Sequence, residues 1–187
     1  GLPWSTGLRR PKRSWRIILT TSGAYTATSR LESEAIPQIL TFLQRWSQRV
    51  EPTDAGSFLQ VVWGDFTVYL NGLPYGVELK VEAANKHGNF FLETWSNREW
   101  FTLGWMYKLQ ADVLLYYFLQ ERELYSIKVP ALKEWAFGIG EGQGAIYKYL
   151  ERKQSKYNQK NDTWGRCVPI AELQKALGDG IKRYQLQ

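Results

Sequence analysis

The 187-residue chain has one cysteine, one histidine and one methionine. With Cys167 alone, no internal disulfide can form and no cysteine-rich zinc site can be built. With His87 alone, a multi-histidine metal centre and any mechanism using a histidine pair are excluded. No apolar run is long enough to predict a transmembrane helix. The opening Gly-Leu-Pro-Trp lacks the apolar core of a signal peptide. The free thiol and the missing signal make an intracellular protein the expectation. A catalytic metal would have to be held by carboxylates, which selects a hard ion such as Mg²⁺ or Mn²⁺.

Apolar residues make up 44% of the chain, enough for a packed core, so one domain or one domain with an appendage is expected. The net charge is +6. Two short segments carry the excess. Residues 1–16 hold Arg9, Arg10, Lys12, Arg13 and Arg16 with no acid. Residues 148–166 hold Lys148, Arg152, Lys153, Lys156, Lys160 and Arg166 against Glu151 and Asp162. These segments sum to +5 and +4, which leaves −3 on the rest of the chain. Both are interleaved with aromatics, among them Trp4, Trp15, Tyr149 and Trp164. Cations neutralise phosphates and rings stack on bases, so the pattern suits nucleic acid, although two solvated faces would read the same way.

The coarse pattern predicts mixed α/β (α+β) structure. Residues 14–21 read as a short strand. A helix with Ser33 as N-cap and Pro37 near its start carries an apolar stripe to about Arg49. Phe58–Leu70 reads as a strand, and Asn71-Gly72 as a hairpin turn into a second strand at 75–82. A turn at His87-Gly88 leads to a third strand at 89–94, completing an expected three-strand meander. A short helix at 104–111, a buried strand at 112–119, a strand at 123–129 and a helix from Pro130 to Phe137 follow. Residues 138–144 form a glycine-rich hinge, and 146–153 and 170–177 read as helices of a C-terminal appendage. The expected division is a basic arm at 1–29, a core at 30–137 and a basic helical extension at 138–187.

Glu78-Leu79-Lys80 falls in the second strand of the hairpin. Residues two apart on a strand share a face, so Glu78 and Lys80 project together while Val77, Leu79 and Val81 pack behind. A charged pair in a sheet is costly to desolvate and asks for a reason. Asp65, on the preceding strand, comes close to Glu78 when the hairpin closes. The two carboxylates and the Leu79 carbonyl can hold one or two hard ions. Lys80 can orient or deprotonate water, or screen charge on a phosphate. Glu34 is the preferred third acid, with Glu32 and Glu93 as alternatives. The triplet alone is weak, since a chain with 18 acids and 12 lysines gives roughly one by chance. A second, Glu151-Arg152-Lys153, reads as a solvated helical face. The rival reading of the first is a structural ion pair.

This arrangement resembles the PD-(D/E)xK, or restriction-endonuclease-like, nuclease superfamily over roughly residues 30–137. Asp65 corresponds to its first acid and Glu78 with Lys80 to its (D/E)xK element, while Gly64 stands where the motif has proline. Glu93 and the Lys108–Asp112 segment extend the likeness. The resemblance implies a central mixed sheet flanked by helices, and Mg²⁺-dependent hydrolysis of phosphodiesters, usually in DNA, duplex or branched. A non-catalytic nucleic-acid-binding module on the same fold is the main alternative, and RNA as substrate is a third. Paired cuts would usually need two active sites, which makes a homodimer an open expectation.

Overall fold

The computed structural model describes residues 30–54, 57–138, 143–154 and 162–187. The basic arm at 1–29, with its expected strand, lies outside the described residues, as do Lys156 and Lys160. Two sheets and five α-helices make up the described part, a mixed α+β fold.

Helix α1 (Arg30–Gln44) buries Ala35, Ile39, Phe42 and Leu43 along one side. It is already helical at Arg30, so Ser33 is not its cap and Pro37 lies inside it. Pro37 is exposed, and Thr41 Oγ1 donates to its carbonyl at 2.8 Å. The helix stops short of Arg49 because strand β1 (Arg49–Pro52) begins there, paired antiparallel with β2 (Phe66–Leu70).

The long strand expected from Phe58 is interrupted. Its first half is helix α2 (Phe58–Trp63), whose N-cap Ser57 accepts from the Gln60 N–H. Aromatic and β-branched composition pointed to a strand, but the Ser57 cap and the Gly64 stop decide a helix between them. The hairpin forms as expected. Asn71 (φ 51°) and Gly72 (φ 80°) make a left-handed two-residue turn between β2 and β3 (Leu73–Glu82), with Leu70 opposite Leu73.

Strand β3 then pairs parallel with the fully buried β6 (Val113–Phe118), which turns into β7 (Glu123–Lys128). Strand β10 (Ile181–Gln185) closes the order β1-β2-β3-β6-β7-β10. The expected meander does not occur. The chain after β3 crosses to a second sheet, β5-β4-β9-β8, made of β4 (Asn89–Asn97), β5 (Thr102–Leu103), β8 (Glu151–Lys153) and β9 (Trp164–Pro169). Phe90 and Leu92 of β4 explain the crossing. They lie over the main sheet in one buried cluster with Leu114, Tyr116 and Phe118. Short helix α3 (Trp105–Lys108) sits in this crossover.

The main sheet is therefore covered on both faces. Helix α1 covers Val77, Leu79, Val113, Leu115 and Tyr117. The second sheet, α4 (Val129–Phe137) and α5 (Ile170–Leu177) cover the other face. Covering both faces is what makes β6 an unbroken apolar run. Truncating one of these fully buried leucines to alanine removes about 2–5 kcal/mol.

The expected helical appendage is also corrected. Residues 145–148 form a single 3-10 turn, 151–153 are strand β8, and only α5 is the helix expected at 170–177. Strands β9 and β10 build the C-terminal stretch into both sheets, through pairings distant in sequence. No helix among the described residues is long and apolar enough to cross a membrane.

Candidate active site

Two glycines seat α2 against β3. A Cβ on Gly76 would lie 2.2 Å from the Trp63 carbonyl oxygen, and one on Gly64 would lie 2.6 Å from that of Val77. Gly64 also has φ +94°, which disfavours any side chain. The close approach of these two backbones puts Asp65 at the start of β2, beside β3. Asp65 is 7% exposed, and its carbonyl accepts from the Thr53 N–H.

The β2–β3 ladder begins at Phe66 opposite Val77, so Asp65 occupies the next position, towards Glu78. Before the start of β2 at Phe66, the Leu79 N–H has no β2 residue opposite it to pair with. Asp65 Oδ2 accepts it at 2.8 Å, and Asp65 Oδ1 accepts from Gln60 Nε2 at 3.0 Å. The N–H and C=O of one strand residue point to the same side. Gly76 uses both towards Asp112, on the β6 side. Alternation therefore turns both backbone groups of Leu79 towards the start of β2 and Asp65.

Glu78 and Lys80 project from the opposite face to buried Val77 and Leu79, as strand parity predicts. They form an ion pair, Nζ to Oε1 2.5 Å, with only 28% and 17% of the Lys80 and Glu78 side chains exposed. Burial pushes the Glu78 carboxyl above its ordinary value, with Asp65 adding to the rise and Lys80 opposing it. Burial alone would lower the Lys80 ammonium, but Glu78, Asp65 and Glu32 together carry it upward. Lys80 is thus held as a cation. It is suited to orienting water and screening negative charge rather than to taking a proton.

Glu93 lies on β4, near Lys80. Its Oε1 accepts from the Trp105 N–H at 3.2 Å, at the start of α3. Burial raises its carboxyl, while that hydrogen bond, Lys80 and Lys108 lower it. The Lys80 Nζ also lies 5.8 Å from the centre of the Trp105 ring. Glu34 is not brought to the site. It is exposed and paired with Arg30 at 2.9 Å. Residues two apart on a helix are turned about 200° from each other, so Glu32, on the side of buried Ala35, is the acid of α1 whose field reaches Glu78 and Lys80. Glu82 continues the face of Glu78 and Lys80 and accepts a hydrogen bond from the Tyr116 hydroxyl.

Lys148, Arg152 and Lys153 are exposed, on the 3-10 turn and on β8. Lys153 pairs with Asp162 at 2.7 Å. Arg9, Arg10, Lys12, Arg13 and Arg16 lie outside the described residues. His87 is exposed in its turn, and burial raises the Cys167 thiol, away from a reactive thiolate. Of the Trp95, Trp100 and Trp105 group, Trp100 is exposed and the other two are half-buried. The contact that sequence reasoning missed is Gln60 to Asp65. A continuous strand hides it, and the signal for it is the Ser57…Gly64 bracket around six residues.

Among the described residues, no three His, Cys, Asp or Glu side chains gather closely enough to hold a metal ion. The groups that do meet near the start of β2 are the carboxylates of Asp65 and Glu78 and the backbone of Leu79.

No protein-family model matches the chain, and no curated protein matches it. The chain is structurally similar to a bacterial homing endonuclease, I-Ssp6803I, with TM-score 0.40 and 15% identity. The match covers 82% of this chain and 94% of that one. The likeness is one of overall shape and gives no residue of this chain a role.

Proposed function

We propose that this chain is a divalent-metal-dependent DNA endonuclease that hydrolyses phosphodiester bonds by direct attack of water. One observation carries the reading: Asp65, Glu78 and the Leu79 backbone sit together beside a lysine held as a cation. The donor set is all oxygen and contains two acids. That fits Mg²⁺ or Mn²⁺, which bind through one or two carboxylates and keep several waters. Asp65, Glu78 and the Leu79 carbonyl would hold the ion, with Glu32 and Glu93 adding negative field around it. A bound ion of this kind lowers the pKa of water and stabilises charge on phosphate.

The chain's own residues supply the rest. The Lys80 ammonium orients the attacking water and screens the charge that develops on the phosphate oxygens. Glu93 accepts from the Trp105 N–H, and the Trp105 ring lies 5.8 Å from Lys80 Nζ, so β4 and α3 border the same point. Lys148, Arg152 and Lys153, with the basic residues of 1–16, are the proposed contacts to the DNA backbone. Two copies of the chain would provide the two active sites that paired cuts need.

A non-catalytic binding module on the same fold is the second reading. It is favoured by the ion pair between Lys80 and Glu78, which already gives the Glu78 carboxylate a protein partner. Supercoiled plasmid, linear duplex, branched DNA and RNA incubated with Mg²⁺ or with EDTA separate the readings. Mg²⁺-dependent cutting of a DNA substrate, lost in Lys80→Ala, supports the enzyme. Binding without cutting under all conditions supports the module. Cutting confined to RNA corrects the substrate.

A further inference from the structure

Gln60 is held at three points. Its backbone N–H donates to Ser57 Oγ at 3.2 Å, and its carbonyl accepts from the Gly64 N–H at 3.0 Å. Its side-chain Nε2 donates to Asp65 Oδ1 at 3.0 Å. The first two contacts fix the residue within α2, and α2 is fixed on β3 by the missing side chains of Gly64 and Gly76. The amide of Gln60 is therefore a donor at a set position. The Leu79 N–H, built into β3, is another, 2.8 Å from the second oxygen of the same carboxylate.

A carboxylate gripped at both oxygens cannot rotate freely about its Cβ–Cγ bond. An ionised carboxylate has about four acceptor positions, so roughly two remain after these bonds. Their direction is set before any ion arrives. The geometry points to Gln60 as the positioning residue that fixes the Asp65 carboxylate for metal binding, an inference that rests on the site proposed above. Gln60 acts through Asp65, as outer hydrogen-bond partners orient metal ligands generally.

Mn²⁺ binding to the full chain, measured by isothermal titration without nucleic acid, tests this. Gln60→Ala retains the best helix former in α2, and Gln60→Met retains the side-chain length without the donor. Both variants raise the Mn²⁺ Kd by about 10–100-fold. In cleavage assays, the Mg²⁺ concentration for half-maximal rate rises in step, and excess Mg²⁺ restores most of the rate. An unmoved Kd in both variants overturns the inference, including where the metal-free melting temperature falls, because Gln60 would then be only a structural residue. A wild-type chain that binds no Mn²⁺ overturns the proposed site and this inference together. The two failures are therefore distinct.

Discussion

Two segments of this chain read acid, any residue, lysine, and both are strands. Glu78-Leu79-Lys80 lies on β3 inside the main sheet, and Glu151-Arg152-Lys153 lies on β8 at an edge of the second. In the first, acid and lysine pair with each other, half-buried, and the acids Asp65, Glu32 and Glu93 also act on the pair. In the second, Glu151 is spent on Arg98 at 3.3 Å, Arg166 at 3.9 Å and the Thr94 hydroxyl at 2.9 Å. Lys153 turns instead to Asp162. The same pattern thus yields an acid-rich point with one lysine in one place and a neutralised acid in the other. Surrounding charge, and not the triplet, decides which can attract a divalent cation.

The largest expected consequence is catalytic. Asp65→Asn and Lys80→Ala lower the rate of metal-dependent cutting by about 10²–10³-fold, the usual effect of removing one stabilising group. Glu151→Gln leaves the rate per folded molecule near that of wild type. Initial rates on plasmid, normalised to folded protein by circular dichroism, check the contrast.

Next comes the seat of the site. Gly64→Ala places a Cβ against the Val77 carbonyl at a positive φ, where backbone cannot yield cheaply. It lowers stability by about 2–3 kcal/mol. Gly72→Ala, in a turn with nothing within 4 Å of the new atom, meets only the strain of its positive φ and costs less. Chemical denaturation of the two variants ranks them.

The third consequence concerns pH. Glu78 has a carboxyl raised above 4.5, so the folded chain binds the proton more tightly than the unfolded one. Its protonated form therefore contributes stability at low pH, which is lost as pH rises from 4.5 through the folded value. Metal needs the ionised form, so the order reverses for binding: Mn²⁺ affinity falls as pH drops through that same folded value. Lys80 works at the other end. Its raised ammonium contributes stability below 10.5, lost as pH climbs through the folded value. Melting temperature measured against pH, with and without Mn²⁺, reads these effects. A Mn²⁺-induced rise that is larger at acid than at neutral pH contradicts the assignment.

The smallest effect separates the two acids of α1. Glu32→Gln weakens Mn²⁺ binding severalfold. Glu34→Gln loses only an exposed pair with Arg30, about 0.3–0.5 kcal/mol of stability, and leaves binding unchanged. Reversal of this order returns Glu34 to the site.

The placement of the central candidate residues is legible because its rules are local. Strand parity places Glu78 and Lys80 on one face, and Asn71-Gly72 sets the register that brings Asp65 to Glu78. The unbroken apolar run of β6 announces a strand covered on both faces. Other features depend on contacts distant in sequence. Strand β4 has the period of a meander strand, yet Phe90 and Leu92 pack over the main sheet instead of extending it. Strand β8 reads as helix from sequence alone, because its partner, Trp164–Pro169, comes later in the chain. Strand β10 pairs with β7, more than 50 residues earlier. Glu34 reads as the third acid from sequence, but α1 is already helical at Arg30, and the rotation of its faces turns Glu32 rather than Glu34 towards Lys80.

The most direct test of the account compares the two triplets in one experiment: nicking of supercoiled plasmid in Mg²⁺ by wild type, Lys80→Ala and Glu151→Gln, each repeated in EDTA. The account predicts cutting by wild type and Glu151→Gln, a loss of about 10²-fold or more in Lys80→Ala, and none in EDTA. Equal cutting by Lys80→Ala and wild type, or cutting that persists in EDTA, would contradict it.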